Sequence, residues 1–458
     1  MPGGGGQRVL VVGGGITGLA TAEALVARGA DVTVREADAT LGGKIRTSTF
    51  AGVAIDEGAD AFLARTPEAV ELAGRVGLSD LTSPTDATAA VWHHGLHAIP
   101  GAIVLGVPAA LTPFVTTGLL SWRGKLRAAC EPFLPRTATT DDVLGAYVRR
   151  RFGDEVHERL VDALVGSIYA TDTDNASLGA VPQLADLAAG GRSLLLTARS
   201  TRARATRQAA PGPIFAAPTS GVGALIDAVA AAIRTRGGEI RTSSRVGNIE
   251  RDDPSWVVDG ERFDAIALTS PARTTAPLLE TVAPDAARLL HSIEYADVII
   301  VTMAVPAAAW PARLRGLSGY LVPKPVQRLV TATSFGSQKW AHWRPDDDCE
   351  IMRVSLGRDG LGVDHLDDDA VVAAAVDEVG RHLGFDLQPS AVRISRWREG
   401  FPQYRPHHLE LVGALESALP PGVMVAGASY RGIGIPACVR QAGRIAHVLL
   451  RQHAEGVG

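Results

Sequence analysis

The sequence predicts an α/β protein whose two ends fold together into one domain, with the middle of the chain inserted between them. Three observations carry that expectation. Near the N-terminus a β-branched run, Arg8-Val9-Leu10-Val11-Val12, leads straight into Gly13-Gly14-Gly15-Ile16-Thr17-Gly18. Near the C-terminus a second short apolar run ends in another glycine-rich turn, with Gly427, Gly432 and Gly434 ahead of a helical stretch. Between them the chain changes character, from Ala- and Leu-rich over residues 85–210 to mixed strand and helix patterns over 290–395.

The first element reads as a parallel strand, because its apolar run shows no alternation and so suits burial on both faces. A helix should follow over residues 19–28, closed by Gly29, and then a second strand over 31–35 ending at Glu36. The spacing Gly13-x-Gly15-x-x-Gly18 allows a tight turn, close approach of a pyrophosphate to the backbone, and close packing of helix on strand. The helix N-terminus offers unpaired N–H groups and positive dipole to the phosphates. Glu36, with Ala37 beside it, is placed to meet the ribose hydroxyls of an adenosine. Strand, glycines, helix, strand and acid in this order predict a Rossmann-like dinucleotide site. Arg35 raises the thought of a 2′-phosphate, but Glu36 would repel one. At the other end, residues 424–426 read as a strand and 439–451 as a helix. The turn between them offers N–H groups to an acceptor, including those of Ile433, Gly434 and Ile435. Two such turns suit FAD better than a nicotinamide.

The 458 residues are 46% hydrophobic and 21% charged with a net charge of −4, which predicts a globular chain and no nucleic-acid partner. Three scattered cysteines point to a reducing, cytoplasmic setting, and no signal peptide is read at residues 2–6. Residues 98–122 lack charge over a span long enough for a bilayer, but Pro100, Pro108 and Pro113 break it. It is expected instead to form a buried apolar wall or a patch with at most peripheral membrane contact. Residues 245–251 read as a strand, Asp259-Gly260 as a hairpin turn and 265–269 as a buried strand. Arg199, Arg202, Arg204 and Arg207 read as a solvated loop, or as a dock for an acidic ligand. Asp367-Asp368-Asp369 reads as the acidic start of a helix. His93, His94, His97, His407 and His408 lack ligand spacing, and no metal is expected. Cys438 reads as a packed residue.

The next motif, Leu41-Gly42-Gly43-Lys44-Ile45, resembles the second glycine pair of amine oxidase and phytoene desaturase-like flavoproteins, where the loop lies along FAD. An arginine usual in those families is Ala39 here, and Lys44 can supply the phosphate charge instead. Gly58-Ala59-Asp60-Ala61-Phe62 resembles their loop past the flavin. Over nearly its whole length the chain is similar to the oxygen-dependent porphyrinogen oxidases of haem biosynthesis. The Gram-positive-type coproporphyrinogen III oxidases resemble it most. The resemblance runs through Gly58-Ala59-Asp60-Ala61-Phe62-Leu63, Leu96-His97-Ala98-Ile99-Pro100, Ser167-Ile168-Tyr169-Ala170-Thr171-Asp172, Trp397, Phe401-Pro402-Gln403-Tyr404 and Tyr430-Arg431-Gly432-Ile433-Gly434-Ile435-Pro436.

That resemblance implies an amine oxidase/PHBH-like FAD domain from residues 1–80, 215–290 and 395–458. A mostly helical subdomain (85–210) and a mixed α+β substrate domain (290–395) would complete the chain. It implies that Val246 lies by the adenine and that Trp397 joins the cofactor contacts. Arg65, Tyr169 and Arg431 become substrate contacts, with residues 98–122 as the macrocycle's wall. The implied reaction oxidises coproporphyrinogen III in three hydride transfers to the flavin N5. Dioxygen is the acceptor, hydrogen peroxide the by-product, and the porphyrin passes to the next enzyme of the pathway. No side chain is singled out as catalytic. Protoporphyrinogen IX is the alternative substrate, amines or polyenes the alternative substrate classes, and non-catalytic flavin or porphyrin binding the alternative role.

Overall fold

The computed structural model describes residues 6–110, 112–208, 212–346 and 348–457. Five strands form one parallel sheet in the order Glu239–Arg241, Asp31–Arg35, Arg8–Val12, Ala265–Leu268, Val423–Val425. Both chain ends therefore enter the same sheet. The apolar runs explain why: Val9, Leu10 and Val11 have no exposed surface, so the strand is covered on both faces. One cover is the helix Ile16–Val26, buried at every residue, with Gly223–Thr235 and the C-terminal helix Ile435–Val457 packed beside it. The other holds Ala272–Leu279, Pro284–His291 and a small antiparallel sheet. Burying one leucine such as Leu19 contributes about 1.5–3 kcal/mol, and dozens of such residues must offset chain entropy.

In the small antiparallel sheet, Asp259 and Gly260 form the expected turn, with φ of 47° and 86°. Both left-handed residues match the twist of a two-residue hairpin. The expected strand over 245–251 is shorter, beginning at Ile249. The Asp259 carboxylate accepts from the amides of Gly247 (3.1 Å) and Asn248 (2.8 Å), so a side chain takes over the ladder there.

A second, mixed sheet has seven strands. Its order is Ala391–Pro402, Tyr295–Pro306, Cys349–Leu356, Val330–Phe335, Leu317–Leu321, Thr88–Trp92, Leu96–Ala98. Helix Asp368–Leu383 backs it, and Asp367 caps that helix by accepting from Ala370 N at 2.8 Å. The start of the Ala- and Leu-rich region is thus strand: residues 88–98 pair on this sheet because Ala90, Val91 and Trp92 find an apolar partner layer there. The rest of that region packs around Leu144–Phe152, Asp162–Tyr169 and Pro182–Ala189.

Three sequence expectations are corrected. The arginine run is not a loop but part of helix Leu194–Gln208, anchored by buried Leu194, Leu195 and Ala198. Arg199, Arg202 and Arg204 are exposed on it, while the side chain of Arg207 lies outside the described residues. The C-terminal helix starts at Ile435 rather than Val439, since Pro436 fits a first turn whose N–H has no helical acceptor. Residues 98–122 do not form one wall. Val107, Phe114, Leu119 and Leu120 enter the helical core, whereas Val115 and Trp122 face outward. Leu111 of that stretch and residues 2–5 lie outside the described residues. Among the described residues, no helix is long and apolar enough to cross a membrane.

Candidate active site

The N-terminal turn is built by close contact. A Cβ at Gly18 would lie 1.9 Å from the Gly13 carbonyl oxygen, so only glycine lets the helix sit on this turn. A Cβ at Gly15 would meet nothing nearer than 3.9 Å. That side of the turn is open to a ligand, and the helix's first amides, at Ile16 and Thr17, lack intrahelical acceptors. Gly42 zips onto the turn: its amide donates to Gly14 O at 2.9 Å, and Gly15 and Gly42 form a parallel bridge. Gly43 follows with its α-carbon face turned toward Gly15.

Glu36 ends the second strand. Its two oxygens accept from Gly14 N (2.6 Å) and Asp38 N (2.8 Å), which fixes the carboxylate beside the turn with lone pairs to spare. Ala37 is the exposed residue between these contacts. Ser244 N donates to Glu36 O at 2.7 Å and brings buried Val246 to the same edge. Arg35 is consumed internally, paired with Asp259 at 2.8 Å and donating to Arg245 O. It is not free for a 2′-phosphate.

The C-terminal turn lies across the sheet's end. Gly427 takes φ of 137°, and Gly432 N donates to the Tyr404 hydroxyl at 2.9 Å, which itself donates to Ala428 O at 2.6 Å. The helix then opens at Ile435, directly after Ile433 and Gly434, and its first amides lack intrahelical acceptors. Cys438 is buried beneath them, its thiol pushed up by burial, as a packed residue would be.

Between the two turns runs residues 57–61. A Cβ at Gly58 would lie 2.3 Å from Lys44 O. Trp397 Nε1 donates to Glu57 O at 3.1 Å, and Arg46 lies over the Trp397 ring at 5.7 Å. Ala59 and Ala61 follow the loop, but the Asp60 side chain turns away into the seven-stranded-sheet unit. It accepts from Lys339 Nζ (2.6 Å) and Trp340 Nε1 (3.2 Å). Burial alone would raise its pKa; Lys339 and Arg353 outweigh that and hold it at about 2. Asp60 is a clamp between units, and only its backbone remains for a cofactor.

The three sequence-predicted substrate contacts have different surroundings. Tyr169 is half-buried at the end of Asp162–Tyr169, its hydroxyl raised by burial and without a hydrogen-bond partner among the described residues. Arg65 is exposed and pairs with no carboxylate among the described residues. Arg431 is otherwise engaged: it pairs with Glu416 at 2.8 Å, and Arg444 joins the same carboxylate. Its charge is answered by the Glu416 carboxylate.

Sequence reasoning missed Val298, Ile300, Asp162, Arg358, Ala272 and Tyr295 here. Ala170, at φ 48°, packs with Val298, Ile300, Trp397 and Phe401 in a small apolar cluster apart from the main cores. Buried Asp162 and Arg358 hold the loop after it, at 2.9 Å. The amide of Ala272 is met by Tyr295 Oη at 2.8 Å, and Arg273 lies over that ring. Residues 298–302 are an unbroken β-branched run, which signals a strand but not which face is left for a ligand.

Two open glycine turns, a ribose-height acid and a run of unpaired amides at each helix mouth fit a dinucleotide with a second ring system at its far end. The family model for flavin containing amine oxidoreductases matches residues 16–450. The chain belongs to that family. Coproporphyrinogen III oxidase from Bacillus subtilis is 30% identical, over 95% of this chain and 96% of its own. The one from Propionibacterium freudenreichii is 34% identical, over 95% and 89%. A solved structure from Exiguobacterium sp. 255-15, named a putative protoporphyrinogen oxidase, superposes with TM-score 0.86 at 28% identity, covering 98% of this chain and 100% of that one. Putrescine oxidase shares the fold, with TM-score 0.70 at 16% identity, covering 97% and 99%. As a member of the flavin containing amine oxidoreductases, the chain is an FAD-dependent oxidoreductase.

Proposed function

We propose that this protein oxidises coproporphyrinogen III to coproporphyrin III, with dioxygen as the acceptor, in haem biosynthesis. The observation that carries the reading is full-length similarity, at 30% and 34% identity, to coproporphyrinogen III oxidases of two genera. The substrate loses six electrons and six protons, and three dioxygen molecules become three of hydrogen peroxide. Bound FAD supplies the two-electron acceptor for each step. The chain's own part is positioning. The N-terminal turn, Glu36, Ala37 and Val246 hold the adenosine and pyrophosphate half. Residues 42–44 and 58–61, Trp397, Gly427 and residues 433–435 hold the rest. Ala170, Val298, Ile300 and Phe401 offer the macrocycle an apolar face, Tyr169 closes its edge, and Arg65 answers a propionate.

In this reading residues 1–80, 215–290 and 395–458 make the cofactor unit, which lends the strand Ala391–Pro402 to the sheet above it. Residues 85–210 and 290–395 make the substrate side. The location is cytoplasmic, and the porphyrin passes to the next enzyme of the pathway. The exposed side chains of Val115, Trp122, Leu126 and Phe133 give the molecule a peripheral lipid contact.

The test is air oxidation by the purified holoenzyme of coproporphyrinogen III and protoporphyrinogen IX in separate reactions, following porphyrin fluorescence and peroxide. Faster turnover of the first, with three peroxides per porphyrin, is expected. Preference for the second would reassign the substrate, and fluorescence from neither would overturn the reading.

A further inference from the structure

Lys44 follows the Gly42-Gly43 turn, but its side chain leaves the pyrophosphate turn behind. Its Nζ donates to the Gly400 carbonyl, near the end of the strand that carries Trp397. It lies 5.9 Å from the centre of the Phe401 ring. It is also near enough to feel Cys438, in the first turn of the C-terminal helix, and Arg273. An ammonium group has three hydrogens to donate, and among the described residues only Gly400 O accepts one. No carboxylate pairs with it among the described residues. Burial, opposed by Cys438 and aided by Arg273, lowers its pKa to about 8. It is still mostly charged at neutral pH.

A half-buried cation without a counter-charge is costly, and such groups are normally completed by an anion. The dinucleotide offers two. The pyrophosphate belongs at the turn of Gly13, Gly15 and Gly43, where the backbone is open. The adenosine end is marked by Glu36 and Val246. Lys44 Nζ reaches toward Gly400, Phe401 and Cys438 at the mouth of the C-terminal helix, the side that would hold the far ring system. On two-electron reduction that ring takes up two electrons and one proton and gains one negative charge.

We propose that Lys44 is the charge partner of the isoalloxazine: its ammonium offsets the negative charge acquired on reduction and raises the two-electron potential. This differs from the phosphate role expected from the sequence. It rests on flavin binding, not on the identity of the reductant.

The test compares wild-type, Lys44→Met and Lys44→Arg holoproteins by potentiometric titration of the flavin against a reference dye, with FAD affinity measured alongside. No porphyrinogen is used, so the result stands apart from the substrate assignment. Lys44→Met is expected to retain FAD and to shift the reduction equilibrium at least tenfold toward the oxidised form, about 30 mV lower. Lys44→Arg, which keeps the charge, should stay within about threefold of wild type. A Lys44→Met potential equal to wild type overturns the proposal. So does Lys44→Arg falling as far as Lys44→Met. A Lys44→Met protein that no longer takes up FAD overturns it too, and assigns the charge to the pyrophosphate.

Discussion

At the scale of single residues, two arginines that look alike in sequence have different work. Arg65 is exposed and unpaired among the described residues, whereas Arg431 shares Glu416 with Arg444. Arg65→Ala should raise KM for coproporphyrinogen III about tenfold, the effect of losing roughly 1.4 kcal/mol of binding, with kcat nearly kept. Arg431→Ala should leave KM unchanged and lower stability by at most about 1 kcal/mol, because its ion pair is part-exposed. Steady-state kinetics and urea denaturation on the two variants check both halves; a KM rise in Arg431→Ala would return that residue to the substrate site. The contrast also marks what was legible. Gly18 was readable because its constraint is local, a Cβ against the carbonyl of Gly13. The engagement of Arg431 was not, because Glu416 lies on helix His408–Ala418, placed by packing against Pro284–His291.

At the scale of elements, periodicity found the strands and helices that are buried on a regular face, among them Arg8–Val12, Ala265–Leu268 and Asp368–Leu383. It failed where side chains or tertiary partners set the boundary. Asp259 shortens one strand, and residues 88–98 become strand only because a sheet edge made far along the chain accepts them. Helix His408–Ala418 shows a comparable dependence on what lies beneath it. His408 is buried, its ring stacked on Tyr404 at 4.0 Å and its Nε2 donating to Tyr430 O at 2.8 Å. Burial, aided by nearby Arg431 and opposed by the two backbone carbonyls and Asp142, lowers its pKa from 6.5 to about 4. The neutral form is the folded one. Its contribution is therefore complete above pH 6.5 and is lost as pH falls toward 4, because the unfolded chain takes the proton first. The loss is about 1.4 kcal/mol per pH unit within that window. His408→Gln keeps a donor to Tyr430 O without a titrating ring. Urea midpoints measured from pH 7 to 4.5 should fall less steeply in the variant than in wild type. Parallel slopes would show that the acid sensitivity lies elsewhere, His382 being the other buried ring lowered to about 4.

At the scale of the whole molecule, closure of the two chain ends was readable because each end carries its own strand, turn and helix. The relation of the inserted parts was not, since Lys44 with Gly400 and Asp60 with Lys339 are contacts across hundreds of residues. The same blindness applied to the outer surface. An uncharged stretch said only that something apolar was near residues 98–122; the fold divides it between a core and a projecting face. Exposed here are Trp122 at 70% and Phe133 at 83%, together with Val115 and Leu126. Arg123, Lys125 and Arg136 lie close to them in the sequence, on a molecule whose net charge is −4. Large aromatic side chains beside basic ones suit the interface of an anionic bilayer, where each basic residue adds about 1 kcal/mol and the rings bury apolar area. The holoenzyme should therefore co-sediment with vesicles containing phosphatidylglycerol and much less with phosphatidylcholine vesicles. High salt should weaken binding but not abolish it, because the apolar part is unscreened. The double substitution Trp122→Ser with Phe133→Ser should release most of the protein while FAD content and porphyrinogen oxidation in detergent-free solution stay unchanged. Equal sedimentation of wild type and double variant would mean that this face has no part in lipid contact.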